Sequence, residues 1–360
     1  MRRSSQKMRI NNVILDWFCL INSKGVGVKT FWALMRTFGS AQEALAHVSI
    51  PYPRAEAEKT LKSMDCEVIL ANEPLFPKSL KRSNCCPPML FFKGDKEILS
   101  KRKIAIIGAR NASLSGRSIA KNFASNLARD FAIVSGLARG IDTSAHLGSI
   151  EDEQLNSAIA VLPFGFDNVY PRENQRLFEK IVERGIVLTE VPNGHAVDAG
   201  MFQARNRIIS LISEGIIVIE AAYKSGTMAA AKLALDFGCE IMVAPGSPAD
   251  PRNLGSNTLI QNGASLIQNY LDVLELLGTD KCENREKQLE LSEPASKGKP
   301  NGLGKKTKIL SLLSDTPIDI EKISHHIGGD MQNLLCIISE LEIDGLVVRY
   351  PNNEVALSGR

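Results

Sequence analysis

The chain has 360 residues, of which 44% are apolar and 23% charged, as is ordinary for a globular protein of two or three domains. Its net charge of +3 is too small to establish a nucleic-acid partner, so such a partner would have to meet a local cluster of cations. No apolar run approaches the ~20 residues of a membrane span, and no apolar signal segment follows the basic first residues. We therefore predict a cytoplasmic protein that is neither secreted nor embedded in a membrane.

The cysteine and histidine residues predict no metal or redox site. The seven cysteines are scattered, and the one close pair, Cys85 and Cys86, lacks the two-residue spacing of such sites. His325 and His326 have no cysteine or carboxylate at a convincing ligand spacing. We expect reduced cysteines, no metal and no cofactor.

Residues 1–72 are predicted to form a small helical domain, because apolar side chains recur at helical spacing on both sides of Gly25-Val26-Gly27. This turn is similar to that of a helix-hairpin-helix motif, whose backbone N–H groups can hold a phosphate. A plain connection between two packed helices explains the glycines at least as well. Four prolines then mark an extended lead-in, and residues 89–94 are predicted to add an edge strand to the next domain.

Residues 73–280 are predicted to form a Rossmann-like domain with an extended, mostly parallel sheet. Short apolar runs without alternation are typical of strands covered on both faces, and helical segments lie between them. The predicted strands are residues 104–107, 132–134, 158–162, 186–188, 215–220 and 241–244. Ser115 is the predicted cap of the first connecting helix. In such a sheet the loops that follow the strands line one crevice, where helix N-termini favour an anion.

The first two of these loops each carry an arginine. The loop at 108–113 reads G-A-R-N-A-S and holds Arg110, and the loop at 135–142 reads S-G-L-A-R-G-I-D and holds Arg139. The dinucleotide-binding G-x-G-x-x-G pattern and the P-loop pattern are both absent from the first loop. We therefore predict that the Arg110 guanidinium grips a phosphate as a fork. The alternative is that the glycines only make tight turns.

A helix predicted at 201–213 places Phe202 and Arg205 on one face. Single-stranded nucleic acid sites pair an aromatic ring with a cation, because the ring stacks a base for about 1–3 kcal/mol while the cation meets the backbone. A core position for Phe202 is the alternative. Lys224-Ser225-Gly226-Thr227 opens a further helix, whose N-terminus is a second candidate phosphate site.

These motifs resemble, in order, those of the DNA-processing protein A (DprA/Smf) family over about residues 75–275. The matching stretches include residues 107–110, 135–142, 202–209, 225–227 and 257–264. The resemblance implies a non-enzymatic, homodimeric single-stranded DNA-binding protein of natural transformation. It would protect incoming single strands and help to load the RecA recombinase. The DNA-binding residues expected from the resemblance and the motifs are Gly108, Arg110, Ser113, Arg139, Phe202, Arg205 and Lys224.

An enzyme acting on a nucleotide or phosphoribose is the alternative. Phosphoribohydrolases of the lysine-decarboxylase-like group resemble this layout, but their P-G-G-x-G-T-x-x-E motif needs a glutamate where this chain has Ala230. A hydrolase would then depend on Asp142 or Glu190. Asp142 and His146, four residues apart, are expected to form a structural hydrogen bond rather than an acid–base pair. A pure interaction scaffold is a third possibility.

Residues 281–305 are polar and lysine-rich, which predicts a flexible linker, and residues 306–360 follow the order of elements of a winged-helix domain. This last domain has five Lys and Arg against eight Asp and Glu, a net charge of −3. Its predicted recognition helix, at 330–341, has neither Lys nor Arg. DNA binding requires cations that neutralise phosphates, so we predict that this domain binds a protein or nothing.

Overall fold

The computed structural model describes residues 8, 10–195, 199–279, 306, 309–310, 312–313, 317–327, 331–350 and 353–358. The chain divides into two compact units, the first ending at residue 282 and the second beginning at residue 283. The predicted linker at 281–305 lies outside the described residues. None of the helices in the described ranges combines the length and the apolar character needed to cross a bilayer.

The first unit begins with four helices, in the segment where the apolar spacing predicts a small helical domain. Asn11 caps the first helix by accepting a hydrogen bond from the Ile14 N–H at 2.9 Å, and Ser40 caps the third by accepting one from Glu43. The Trp17 and Phe31 rings pack edge to face in their core, 5.3 Å apart. These helices are α1 (Asn12–Asn22), α2 (Val28–Phe38), α3 (Ala41–Leu45) and α4 (Arg54–Ser63).

Nine strands form one sheet within the described part of the first unit, in the order β1-β2-β6-β5-β4-β3-β7-β8-β9. All neighbours from β6 to β9 pair in parallel, whereas β1 and β2, and β2 and β6, pair antiparallel. The strands are β1 (Glu67–Leu70), β2 (Met89–Gly94), β3 (Lys103–Gly108), β4 (Ala132–Ser135), β5 (Ala158–Val161), β6 (Gly185–Thr189), β7 (Gly215–Ile219), β8 (Glu240–Val243) and β9 (Ser265–Leu266). The predicted Rossmann-like, mostly parallel sheet is therefore confirmed.

Helices cover both faces of the sheet, which explains why its central strands are apolar without alternation. Along β3, Ile104 and Ile106 belong to one buried cluster and Ala105 and Ile107 to another. The helices of this domain are α5 (Lys78–Lys81), α6 (Leu114–Leu127), α7 (Ile141–Ser149), α8 (Gln175–Arg184), α9 (Ala199–Ile212), α10 (Gly226–Asp236), α11 (Leu254–Gln261) and α12 (Tyr270–Leu276).

Two local predictions differ from the structure. Strand β2 is not the edge of the sheet, because β1 pairs along its outer side, although β1 falls in the segment predicted to be helical. Four residues are too few to show a strand period in the sequence. Ser113, rather than Ser115, caps α6, and its hydroxyl accepts from the Gly116 N–H at 2.9 Å. The helix begins one residue after Ser113, so Ser115 lies in its first turn.

The second unit has its own buried cluster, which includes Ile320, Ile338 and Val355. Its described elements are β10 (Ile318–Asp319), α13 (Ile320–Ile327), α14 (Met331–Ile343), β11 (Val347–Tyr350) and β12 (Glu354–Leu357). The strands pair antiparallel in the order β10-β12-β11. Two helices followed by a strand hairpin match the last part of the predicted order, whereas the first predicted helix lies partly outside the described residues and β10 was not predicted.

Candidate nucleic-acid interface

A cavity of about 660 Å³ opens at the carboxyl ends of β3 and β7. These two strands are neighbours in the sheet, but the chain leaves β3 toward β4 on one side and leaves β7 toward β8 on the other. Ligands of open parallel sheets bind at such a reversal of strand order, because the loops on its two sides diverge and leave a crevice. Of the seven predicted site residues, Gly108, Arg110, Phe202 and Arg205 line this cavity.

Arg110 lies exposed in the loop after β3 and contacts the Phe202 ring of α9. The central carbon of its guanidinium is 5.2 Å from the ring centroid, within the range of a cation–π contact. Among the described residues no carboxylate forms an ion pair with Arg110. The predicted association of a guanidinium with Phe202 therefore exists, but the cation comes from the β3 loop and not from Arg205 of the same helix.

Arg205 is buried on the inner side of the cavity, with 6% of its surface exposed. Its Nη1 donates to the Val161 carbonyl at 2.8 Å, whereas its Nε has no hydrogen-bond partner in the described part of the chain. Gly136 makes this position possible, since a Cβ atom there would lie 1.7 Å from Nη1 of Arg205. The prediction was that Arg205 extends an exposed phosphate track. Its buried position instead places a positive charge behind the surface that Arg110 occupies.

Asp142 and His146 of α7 lie close to Arg205 in the buried part of the site. Burial raises the pKa of the Asp142 carboxyl, while the Arg205 charge and the N–H groups of Gly136 and Ala138 act in the opposite direction. Burial and the Arg205 charge lower the pKa of His146 to about 3, against a weaker opposing contribution from the Ser135 main chain.

Among the described residues neither ring nitrogen of His146 has a partner within hydrogen-bond geometry, so the Ser135 main chain is at most a weak polar contact. The predicted hydrogen bond between Asp142 and His146 is therefore wrong. Asp142 instead accepts from the N–H groups of Gly136 and Ala138, at 3.2 and 3.4 Å, and so closes the loop that precedes α7. A spacing of four residues puts two side chains on one helix face but does not orient them toward each other.

Ser113 forms hydrogen bonds with a carboxylate of the same chain, that of Glu220. Its backbone N–H donates to Glu220 at 2.8 Å, and its hydroxyl donates to the same side chain. Glu220 follows β7, and its φ of 52° lies in the left-handed region. A carboxylate at the N-terminus of α6 also complements the helix dipole. Ser113 therefore joins the two loops of the crevice, and its predicted contact with phosphate would require Glu220 to leave.

Arg139 and Lys224 do not line the cavity. The Arg139 guanidinium donates twice to the Glu173 carboxylate, at 2.9 Å each, and about half of each side chain is exposed. Lys224 is exposed in the loop between β7 and α10. A phosphate contact by Arg139 requires that the phosphate replace Glu173. Lys224 is already exposed to solvent, so a phosphate could contact it without such an exchange.

The N-terminus of α10 forms the opposite wall of the cavity, where Ser225, Gly226 and Thr227 line it. Ser225 caps the helix by accepting from the Met228 N–H at 3.3 Å, and the Thr227 hydroxyl donates to the Gly108 carbonyl at 3.0 Å. Gly108 is a glycine for packing reasons, since a Cβ atom there would lie 1.9 Å from the Ile219 carbonyl oxygen. Its predicted role in phosphate binding thus rests on its place in the cavity wall alone.

Arg252 also lines the cavity, and the sequence analysis does not single it out. It lies in a short 3-10 helix (Pro251–Asn253) in the loop after β8, and its guanidinium pairs with Asp250 at 2.6 Å. The sequence could have identified Arg252, because it is the one cation in residues 245–256, the loop that follows β8. Strand β8 neighbours β7 in the sheet, so this loop lies beside the crevice.

The carboxylates that a hydrolase would use are engaged elsewhere. Glu190 pairs with Arg207 of α9, and Arg207 also donates to the Cys85 carbonyl at 2.6 Å. Glu190 and Arg207 are mostly buried, with side chains 18% and 13% exposed. Burial raises the pKa of Glu190, although Arg207 partly reverses this. The pair connects the loop after β6 to α9 and to the lead-in of the sheet.

Three family models match the chain. The DNA recombination-mediator protein A model matches residues 67–278, the DprA-like N-terminal HHH domain model matches residues 12–69, and the DprA winged helix domain model matches residues 293–353. The predicted helix-hairpin-helix-like and winged-helix domains on either side of the Rossmann-like domain are therefore confirmed.

Relatives and solved structures agree with the family models. The DNA processing protein DprA of Bacillus subtilis (strain 168) is 38% identical over 221 residues, which are 61% of this chain and 71% of that protein. The X-ray structure of DprA from Streptococcus pneumoniae has a TM-score of 0.59 and 32% identity, covering 65% of this chain and 80% of that one.

A structure of DNA processing protein A from Helicobacter pylori, reported for its single-stranded DNA binding mode, has a TM-score of 0.54 and 28% identity. It covers 59% of this chain and 96% of that one. The main family model matches residues 67–278, which are more than half of the chain. The cavity at the carboxyl ends of β3 and β7 lies within this segment. This chain belongs to the DNA recombination-mediator protein A (DprA) family.

Proposed function

We propose that this protein processes DNA by binding single strands at the cavity between the β3 and β7 loops. The observation that carries the proposal is Arg110, an exposed cation that stacks on Phe202 at this cavity. A phosphate can draw Arg110 away from the ring, and a base can then stack where the guanidinium lay. The similarity to the H. pylori protein, whose structure concerns single-stranded DNA binding, supports the same conclusion.

The protein is proposed to bind and not to cleave its ligand. Asp142 accepts two backbone hydrogen bonds, Glu190 pairs with Arg207, and Glu220 binds Ser113. A general acid or base must be within reach of the reacting atoms and able to exchange a proton. Because these three carboxylates already have internal partners, they support a structural role better than a catalytic one.

The biological role that fits such binding is protection of incoming single strands in the cytoplasm and assistance in loading the RecA recombinase during natural transformation. A homodimer is part of this proposal. Leu235 of α10 and Leu266 of the edge strand β9 are 54% and 48% exposed, and a groove of about 450 Å³ lies between α10 and α11. Exposed apolar side chains of this kind favour a subunit contact. Sedimentation velocity should find a dimer that Leu235→Asp dissociates.

Arg110→Ala tests the DNA proposal directly. Fluorescence anisotropy with a labelled oligothymidylate and a duplex, each at two salt concentrations, should show tighter binding of the single strand by the unchanged protein. The variant should bind the single strand about tenfold more weakly, because one phosphate contact and its released counterion are lost. Its affinity should also depend less on salt, with a slope smaller by about 1.

Arg184→Ala is the matched control. Arg184 ends α8 just before β6 begins, at the amino ends of the strands, and it pairs with the exposed Glu153. Losing this cation removes the same charge far from the proposed site, so affinity should stay within about twofold. Equal weakening by both variants would mean that only net charge matters, and absence of binding by the unchanged protein would refute single-strand binding.

A further inference from the structure

Arg205 is a buried cation whose hydrogen-bonding capacity is largely unused. A guanidinium has about five N–H donors, and Arg205 uses one of its groups, Nη1, for the Val161 carbonyl. Among the described residues its Nε has no hydrogen-bond partner and no carboxylate forms an ion pair with it. Burying an incompletely paired cation is costly unless another group compensates the charge. Asp142 supplies only part of that compensation, at longer range.

The small exposed fraction of Arg205 faces the cavity, because Arg205 is among its lining residues. Two other positive features border the same space. Arg110 lies in the loop after β3, and α10, an eleven-residue helix, directs its N-terminus at the cavity through Gly226 and Thr227. Gly226 is exposed, and no described atom outside its own stretch of helix lies within 4 Å of where a Cβ would stand, so a ligand can approach this end of α10. An anion in the cavity would therefore meet three sources of positive potential.

The charge of the anion distinguishes two positions along a DNA strand. An internal phosphodiester carries one negative charge and has a sugar on each side, so it can lie along a surface groove. A terminal phosphomonoester carries between about −1.5 and −2 at neutral pH and has three terminal oxygens, as a protein phosphate does. It has a sugar on one side only, so it can enter a cavity end-on and satisfy several donors at once.

We propose that the cavity binds the terminal phosphomonoester of a nucleotide, with the phosphate between Arg110, Arg205 and the α10 N-terminus. This inference rests on the proposed DNA-binding function and names the part of the strand that enters the cavity. The same chemical group occurs at the phosphorylated end of a single strand and in a free nucleoside monophosphate. The Phe202 ring lies beside Arg110, where the first base would stack.

Anisotropy titrations of the full chain with three labelled oligothymidylates test the inference. One carries a 5′-phosphate, one a 3′-phosphate and one hydroxyl groups at both ends. An advantage of about tenfold for a phosphorylated strand over the hydroxyl strand is expected, and the better of the two ends gives the polarity. Competition by dTMP, with thymidine as control, shows whether the free nucleotide enters as well. Arg205→Gln should abolish the advantage, while Arg184→Ala should keep it.

The outcomes separate this inference from the proposed function. If all three strands bind equally well and dTMP does not compete, single-strand binding stands but the cavity does not hold a terminal phosphate. If dTMP competes and no end is preferred, the cavity holds the free nucleotide and not the strand end. If no strand and no nucleotide binds, both proposals fail. Should Arg205→Gln not fold, the comparison of the three strands on the unchanged protein still decides.

Discussion

Gly136 controls where the Arg205 guanidinium lies. A Cβ atom at Gly136 would approach Nη1 of Arg205 to 1.7 Å and Cζ to 2.4 Å, closer than real Cβ contacts. Gly136→Ala should therefore displace the guanidinium from the Val161 carbonyl and lower the free energy of unfolding by about 1–3 kcal/mol, the usual range for overpacking. Urea unfolding followed by circular dichroism measures this loss.

Gly226→Ala is the matched control for that measurement. Gly226 borders the same cavity, but a Cβ atom there would meet nothing within 4 Å, and it occupies the first position of α10. Alanine restricts the unfolded chain and favours the helix, so the free energy of unfolding should stay equal or rise by up to about 1 kcal/mol. If both variants lose stability alike, the close contact between Gly136 and Arg205 is not the cause.

His146 should make the protein sensitive to acid. Its pKa is lowered to about 3 in the folded state, from an ordinary value of 6.5. Between these two values the unfolded chain binds a proton that the folded chain does not, so acidification favours unfolding. The free energy of unfolding should fall by up to about 1.4 kcal/mol per pH unit below about pH 6 through this group alone. Above pH 7 the histidine is neutral in both states and contributes no pH dependence.

His146→Leu isolates this contribution. Among the described residues the ring nitrogens of His146 have no partner within hydrogen-bond geometry, so an apolar side chain loses at most a weak contact with the Ser135 main chain, and stability at pH 7 should be kept or increased. Urea unfolding of both proteins at pH 7, 6, 5 and 4.5 should show a shallower decline for the variant. Parallel curves for the two proteins would contradict the neutral, buried state of His146.

At the scale of elements, the pair Glu190 and Arg207 holds α9 against the loop after β6. Arg207→Ala leaves the Glu190 carboxylate mostly buried without its partner. We expect a loss of about 2–3 kcal/mol at pH 7, less than for a wholly buried pair because both side chains retain some water. The loss should shrink toward pH 5, since burial raises the pKa of Glu190 and an unpaired carboxyl there can take up a proton.

Lys121→Ala provides the comparison for Arg207→Ala. Lys121 pairs with Glu151 at 2.8 Å, but both side chains are about half exposed. Exposed pairs contribute little, so its loss should stay below about 1 kcal/mol in the same urea titration. A similar loss for both variants would mean that the Glu190 and Arg207 pair contributes no more than a surface contact.

The central strands and their order along the chain could be predicted from apolar runs, because a strand that is buried on both faces of the sheet has apolar side chains at successive positions. The side-chain contacts of the site could not, because they join residues far apart in sequence. Ser113 and Glu220 are 107 positions apart, and the space for Arg205 depends on Gly136 in another loop. Short elements such as β1 were also missed, since a four-residue strand has too little period to detect.

The same distinction explains why the sequence placed both Arg110 and Arg205 at the crevice but did not predict that Arg205 is buried. Arg110 follows a strong strand pattern directly, so its position at the carboxyl end of β3 follows from the fold. Arg205 lies on a helix, where the sequence indicates the face but not whether that face meets solvent. Its burial reflects the packing of α9 against β3 and β5, which involves residues distant in the chain.

For the whole molecule, the distribution of charge predicts that the proposed DNA binding belongs to the first unit. The cavity and its arginines lie before residue 282, whereas residues 306–360 carry a net charge of −3 and α14 has no Lys or Arg. Each unit has its own buried cluster. A chain ending at residue 282 should therefore fold and bind oligothymidylate with an affinity within about twofold of the full chain, since the ten Lys and Arg that are removed are outnumbered by twelve Asp and Glu.

Competition titrations against one labelled strand compare the two chains without the effect of their different sizes on anisotropy. Unfolding of the shortened chain in urea checks that its sheet is intact, and Arg110→Ala in the shortened chain should weaken binding by the same factor as in the full chain. A loss of tenfold or more in the folded, shortened chain would place DNA contacts in the second unit. Its winged-helix domain would then bind DNA despite its acidic charge, by a mode other than phosphate neutralisation along α14.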